Sequence, residues 1–271
     1  MDNANNSSII LELNKKEQIK ALRDVGFTDI AADATMEEIT DHMRWLGGLR
    51  DLKVATYLKA SLKEDVPKKQ YFTKEEWTNM SINEKFKYVA YGVGIRVEKM
   101  AFVIALQDVD NRTRFKWSSS GINIPGLKDF GTVNSGLYDD IDGEANTDLI
   151  LAFAKEQQNL SCPAAEVART YKAFTKAADS TVIDDPTKWS LPAFGQLRMY
   201  YIYREEINKF LTDIFGSSYK LTNDWYWSST EWDAGNAWYV NVNGGSASYG
   251  IGYAGCSGKT NMNPVRAVAA Y

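Results

Sequence analysis

Toward the C-terminus the apolar residues fall on every second position. In Trp238-Tyr239-Val240-Asn241-Val242-Asn243 this spacing predicts a strand with Trp238, Val240 and Val242 on its core face and Tyr239, Asn241 and Asn243 facing out. Earlier in the chain Tyr91, Val93, Ile95 and Val97 alternate with Gly92, Gly94 and Arg96, and residues 101–106 form a continuous apolar run after a short polar break. These predict two antiparallel strands, with residues 114–117 as a candidate extension of their sheet. Between the two strand regions the period becomes helical. Residues 148–157 and 164–178 read as helices, the second started by Pro163. After the entry Ser190-Leu191-Pro192, Leu197, Tyr200, Ile207, Phe210, Leu211 and Ile214 make one apolar stripe that Gly216 closes. Residues 118–145, rich in Gly, Ser, Asn and Asp, read as loop.

The first ninety residues have a different character. Residues 1–12 form a polar tail. Asn14 is placed to cap a short helix with Ile19, Leu22 and Val25 on one face and Gly26 at its end. Three capping-box patterns follow: Thr35 with Glu38, Thr73 with Glu76, and Ser81 with Glu84. The first opens a helix with Ile39, Met43 and Leu46 inward and Gly47-Gly48 as its stop, whereas residues 49–62 fit neither period. Residues 13–87 therefore read as a small, mostly helical module for attachment or oligomerisation, and residues 88–271 as the main domain. Strands, then helices, then strands predict an α+β fold whose last strands pair with its first.

Composition narrows the function. With 271 residues, 44% of them hydrophobic and 24% charged, the chain can bury a core and is not of disordered type. A net charge of -4 argues against a general nucleic-acid binder. The start lacks both a basic leader and a long apolar run, so neither a secretory signal nor a membrane-inserted segment is expected, and synthesis in the cytoplasm is. Cys162 and Cys256 stand in no CxxC pattern and are expected as free thiols. The single histidine, His42, lies in a helical segment, and no nucleophile-base pair or His/Cys cluster can be assembled around it. No catalytic residue, metal or cofactor is expected. The acidic run Asp139-Asp140-Ile141-Asp142-Gly143-Glu144 lacks EF-hand spacing and reads as a solvated loop. Gly244-Gly245 is no phosphate loop, since no helix with Lys-Ser/Thr follows it.

Around the alternating strand the composition is unusual. Trp225, Trp227, Trp232 and Trp238 precede a stretch, residues 244–258, made only of Gly, Ser, Ala, Tyr, Ile and Cys, and no charge falls between Asp233 and Lys259. Trp225, Trp227 and Trp238 are expected in the core, and Trp232 is left unassigned. Tyr, Ser, Gly and Asn are the residues of antibody paratopes, where Tyr supplies rigid contact area and the small residues adaptable hydrogen bonds. Two readings stand on composition alone: a binding face, or a glycine-rich hairpin with incidental tyrosines.

A run of motifs carries a resemblance. Ala101-Phe-Val-Ile-Ala-Leu106 with Trp117, Asp142-Gly-Glu-Ala-Asn-Thr-Asp148, Trp189-Ser-Leu-Pro192, Trp227-Ser-Ser-Thr-Glu231, Ala237-Trp238 and Val265-Arg266 follow one another in that order. Over residues 88–271 the chain resembles the C-type-lectin-like domain of bacterial and phage surface proteins, and within that family the variable proteins of diversity-generating retroelements. There, template adenines are randomised during reverse transcription, so asparagine codons become a restricted set that includes Asn, Ser, Gly, Ala, Asp, Tyr, Ile, Cys, Thr and Val. Between Asp233 and Gly258 only Trp238 is outside that set.

The resemblance implies scaffold roles for Trp227, Ser228, Ser229, Trp238, Val265 and Arg266. It implies ligand contacts at Asp233, Ala234, Asn236, Tyr239, Asn241, Asn243, Ser246, Ser248, Tyr249, Ile251 and Tyr253, with Thr260, Asn261 and Asn263 as weaker ones. The glycine-rich stretch is longer than such proteins usually carry, which leaves the register of residues 246–258 open. The calcium-dependent lectin motifs are absent, so carbohydrate binding does not follow from the fold name. The expected function is non-enzymatic binding of a protein or glycan on a target surface, on a phage tail or, alternatively, a cell surface, with homo-oligomers compatible. Two other readings are a structural virion protein with a fixed surface and an enzyme of the formylglycine-generating type, although Cys162 and Cys256 sit in no motif resembling that family's.

Overall fold

Both strands expected from residues 91–106 are present. The computed structural model describes residues 15–16, 19–20, 49–97, 100–132, 135–175, 184–242, 250–251 and 253–271. In it β3 (Tyr88–Arg96) and β4 (Ala101–Ala105) pair antiparallel from Arg96 opposite Ala101 to Gly92 opposite Ala105. The run in β4 is continuous because both faces are covered. Phe102 and Ile104 join one buried cluster with Trp238 and Val240, while Val103 and Ala105 join another with Trp117, Trp189 and Trp227.

The segment that fitted neither period is strand too. β1 (Asp51–Leu58) lies inside a five-stranded sheet ordered β11-β4-β3-β1-β2, where β2 is Lys69–Thr73 and β11 is Val268–Ala270. Val54 and Ala55 are both fully buried, on opposite faces, which erases the alternation. The ladder slips where Ala55 faces Gly92 and Thr56 faces Ala90, so Tyr91 is the extra residue of a β-bulge. The bulge turns its side chain away from Val93 and Ile95 into the second cluster.

This sheet runs across the 87/88 boundary expected from the sequence, and residues 49–87 supply two strands as well as helices. α1 (Lys74–Asn79) has the expected reciprocal capping box of Thr73 and Glu76, and Ser81 accepts from the Glu84 backbone at the start of α2 (Ile82–Lys85). Asn14, the Thr35 capping box and His42 lie outside the described residues.

Two helices stand where expected, α4 (Gly143–Glu156) and α5 (Pro163–Thr170), which opens on its proline but ends short of residue 178; α4 starts, and α3 (Ser135–Tyr138) lies, inside the stretch expected as loop. The single apolar stripe expected after Pro192 is two helices, α6 (Phe194–Ile202) and α7 (Arg204–Phe215), broken at Tyr203 with φ -108° and ψ 24°. Phe194 to Tyr201 are all buried, so α6 is enclosed on every side, whereas α7 buries only Ile207, Phe210 and Leu211. Gly216, at φ 104°, ends α7 as expected.

The C-terminal part forms a second sheet, ordered β6-β7-β9-β8, from β6 (Trp225–Glu231), β7 (Asn236–Asn241), β8 (Gly250–Ile251) and β9 (Ala254–Gly258). Residues 114–117 do not extend the first sheet. β5 (Arg114–Lys116) instead pairs with β10 (Met262–Pro264) in a separate ladder, and Phe115 O accepts the indole N–H of Trp227 at 2.8 Å. β11 returns to β4, closing the first sheet with the last strand as expected. The protein is thus an α+β assembly of antiparallel sheets. No helix among the described residues is long and apolar enough to cross a membrane.

Candidate functional site

The β6-β7 hairpin ends in a turn organised by Asp233. Its Oδ1 accepts from the backbone N–H of Gly235 (2.7 Å) and Asn236 (2.8 Å) and from the Asn236 amide (2.9 Å), a local network that short polar side chains make readily. Of the expected contacts, Ala234 is exposed and Asp233 and Asn236 are half-buried.

This turn rests on a buried support. Gly235 O accepts from Lys259 N at 2.9 Å, and Lys259 O accepts from Ser118 N at 3.0 Å. The Lys259 ammonium lies 4.5 Å from the centre of the Trp117 ring, donates to Ile122 O at 2.7 Å and pairs with Glu231, both side chains being fully buried. Glu231 also accepts from Ile124 N at 3.2 Å. Burial raises its pKa, and Lys259 opposes that rise. On the core side, Trp238 donates to Phe130 O at 2.9 Å and meets Phe194 edge-on at 5.1 Å. Residues 117–130 are therefore pinned to the hairpin from both sides.

Scaffold positions are buried as expected. Trp227, Ser228, Ser229, Trp238 and Val265 are fully buried and Arg266 is 1% exposed. Ser228 Oγ donates to Trp238 O at 2.8 Å, tying β6 to β7 through a side chain. Trp225 differs from its expected core position. It is half-buried and stacks on Tyr239 at 4.2 Å, and Trp227 lies 6.0 Å from Tyr239. Tyr239, expected to face out, is half-buried and packs on the second cluster beside these two indoles. Arg114 pairs with Asp224 at 2.5 Å, and Asp224 accepts from Trp225 N at 2.8 Å, which fixes the near end of this aromatic row. Trp232, left unassigned, is partly buried with its ring 4.6 Å from Trp238.

Two expected contacts are withdrawn from the surface. Asn241 is 8% exposed and Tyr253 is 1% exposed. The Asn241 backbone N–H donates to Tyr253 O at 2.8 Å where the chain enters β9, and Tyr253 turns under α6. There its ring stacks on Tyr201 at 4.0 Å and its hydroxyl accepts from Arg198 Nε at 2.9 Å. Tyr253→Phe is expected to cost about 1–2 kcal/mol in urea unfolding through the lost hydrogen bond, and to leave ligand binding unchanged. A gain or loss of binding at unchanged stability would return Tyr253 to the surface.

Asn243, Ser246, Ser248 and Tyr249 lie outside the described residues. Ile251 sits in β8 on the edge of the second sheet, its side chain outside the description. Of the weaker positions, Thr260 and Asn261 are exposed, and Asn263 is 7% exposed. The acidic run is less solvated than its composition suggests. Asp142 caps α4, and Asp140 accepts from Thr230 (2.6 Å) and Asn146 (3.1 Å), with a pKa raised by burial. Among the described residues no group of His, Cys, Asp and Glu could hold a metal ion. Cys162 and Cys256 are free thiols, and burial pushes Cys162 up to about 12.

No family model matches the chain, and no curated protein matches it. Among solved structures it is similar to a fimbrial protein from Bacteroides ovatus ATCC 8483, with 16% identity and a TM-score of 0.40. The match covers 63% of this chain and 35% of the fimbrial protein's chain.

Proposed function

We propose that the protein is a non-enzymatic binding protein whose C-terminal segment, residues 232–263, is a retroelement-diversified contact surface carried on a C-type-lectin-like scaffold. One observation carries this reading. Between Asp233 and Gly258, Trp238 is the only residue outside the set that adenine randomisation reaches, and it is fully buried in the core, while Ala234 is exposed and Asp233, Asn236 and Tyr239 are half-buried. A surface that varies freely has to be uncoupled from folding, and support from beneath by Lys259, Glu231 and Trp238 supplies that uncoupling. Tyr239, held by Trp225 and Trp227, would be the rigid anchor, and the Asp233 turn the adaptable polar contact. Such a surface suits attachment to a protein or glycan on a target, from a phage tail or from a cell surface.

A displayed library randomised at Asp233, Ala234, Asn236 and Tyr239, selected against an immobilised folded protein as bait, tests the reading. Most members should keep their unfolding free energy within about 1 kcal/mol, as surface changes do, and selection should enrich binders. A library that mostly unfolds would contradict it.

A further inference from the structure

We infer that the loop 118–124, which lies outside residues 232–263, supplies a constant part of the contact surface, and that its crest, Ser120-Gly121, meets carbonyl and carboxylate oxygens of a protein target. This deepens the binding-surface reading and rests on it. Gly121 lies against the Asp233 turn: a Cβ built on it would stand 3.3 Å from Gly235 Cα and 3.7 Å from Ala234 O. Ser120, Gly121, Ala234 and Gly235 are all exposed. A stable protein interface covers about 800 Å² on each partner, so a target seated on Ala234 also meets a crest in contact with it. That holds whichever side chains the turn carries.

The loop is pinned on both sides of its crest. Ser118 N donates to Lys259 O at 3.0 Å, Ile122 O accepts from the Lys259 ammonium at 2.7 Å, and Ile124 N donates to Glu231 at 3.2 Å. Ser119 N donates to Ser161 O at 2.8 Å, and Ser161 N donates to Ser119 Oγ at 3.1 Å. Lys259 N also donates to Gly235 O, so one residue fixes the loop and the turn relative to each other. Between these anchors the backbone N–H groups of Ser120 and Gly121 donate to none of the described residues. Two such donors on a pinned loop can pair with a target's oxygens without the ordering cost that long side chains incur. Residues 118–124 contain no aromatic ring on which a sugar could pack, and this favours a protein over a glycan as the target.

The test uses full-length clones selected from the library on immobilised lysozyme. Hydrogen exchange across residues 118–124 should slow when lysozyme is bound. Ser120→Trp puts bulk on the crest and should weaken binding by roughly tenfold or more in most clones, whereas Ile82→Trp, at a 69% exposed position on α2, should leave it within about twofold. Ser120→Ala keeps both N–H groups and should also leave binding within about twofold. Both positions are exposed, so unfolding curves should be unchanged. Clones that bind lysozyme without protection of residues 118–124, or whose binding Ser120→Trp leaves intact, would overturn the inference while the binding-surface reading stands. Equal weakening by the two tryptophan variants would overturn it as well, since the position of the added bulk would then be immaterial. A well-folded library that yields no binder would overturn the binding-surface reading and this inference with it.

Discussion

Arg266→Met is expected to lower the unfolding free energy by at least about 4 kcal/mol, enough to leave a marginally stable domain largely unfolded. The guanidinium is 1% exposed and spends its donors on fixed acceptors. Its Nε donates to Ala105 O at 2.9 Å, Nη1 to Lys220 O and Asp108 at 3.3 Å, and Nη2 to Tyr219 O at 2.9 Å and to Leu106 O. One side chain therefore joins the end of β4 to the segment leading into β6. Methionine fills much of the volume and satisfies none of those acceptors. Asp108 keeps the Tyr226 hydroxyl at 3.0 Å and Thr222 at 3.2 Å but loses its counter-charge inside the protein. Arg266→Lys should recover less than half of the loss, because an ammonium cannot reach acceptors on two sides of a planar fork. Urea unfolding of the three proteins measures this, and a loss under about 2 kcal/mol for Arg266→Met would show that the network contributes little.

Lys259→Met should cost about 3–5 kcal/mol near neutral pH, by leaving the Glu231 carboxylate buried without its cation. The cost has a definite pH dependence. Burial already raises Glu231 above its ordinary value of 4.5, and Lys259 is the largest influence holding it down. Without Lys259 the folded-state pKa rises further. A carboxyl whose folded pKa exceeds its unfolded one binds more protons when folded, so its presence destabilises the fold progressively as pH climbs from the unfolded value through the folded one. The deficit of the variant relative to the parent should therefore be smaller at pH 5 than at pH 8. Glu231→Gln combined with Lys259→Met removes the charge altogether and should recover part of the loss and flatten the pH dependence. Equal deficits at the two pH values would place the cost in packing.

Much of the fold was legible where one side of an element is buried and the other is not. The alternation at residues 238–242 put Trp238, Val240 and Val242 inside, and all three are fully buried. The Thr73 capping box is a local signal and formed as read. Where tertiary packing covers an element on every side, the pattern disappears. β1 is interior to its sheet, so its residues fitted no period, and α6 is enclosed, so its break from α7 at Tyr203 left no mark in a stripe that looked continuous. The Tyr91 bulge is a matter of pairing register, which no single strand encodes.

The candidate site divides along the same line. The side of β7 that carries Tyr239 followed from local spacing, whereas the Asp233 turn, though built of turn-forming residues, was not anticipated. Asn241 and Tyr253 are of the same residue types as the exposed positions, and only the turn into β9 beneath α6 removes them from the surface. The supporting pair joins residues 28 apart in sequence. Its trace was present in the sequence, since Glu231 and Lys259 flank a stretch in which Asp233 is the only charge. Nothing local announced that the two meet in the core.

The most direct test of the central claim is the nucleotide sequence of the flanking locus. The account predicts a near-copy of the codons for Trp225 to Tyr271 beside a reverse-transcriptase gene. The copy should differ mainly at adenines and in the codons for Asp233, Ala234, Asn236 and Tyr239, while the codons for Trp238 and Arg266 are unchanged. A locus with neither a near-copy nor a reverse transcriptase, or a copy whose differences fall on Trp238 and the other buried positions, would contradict it.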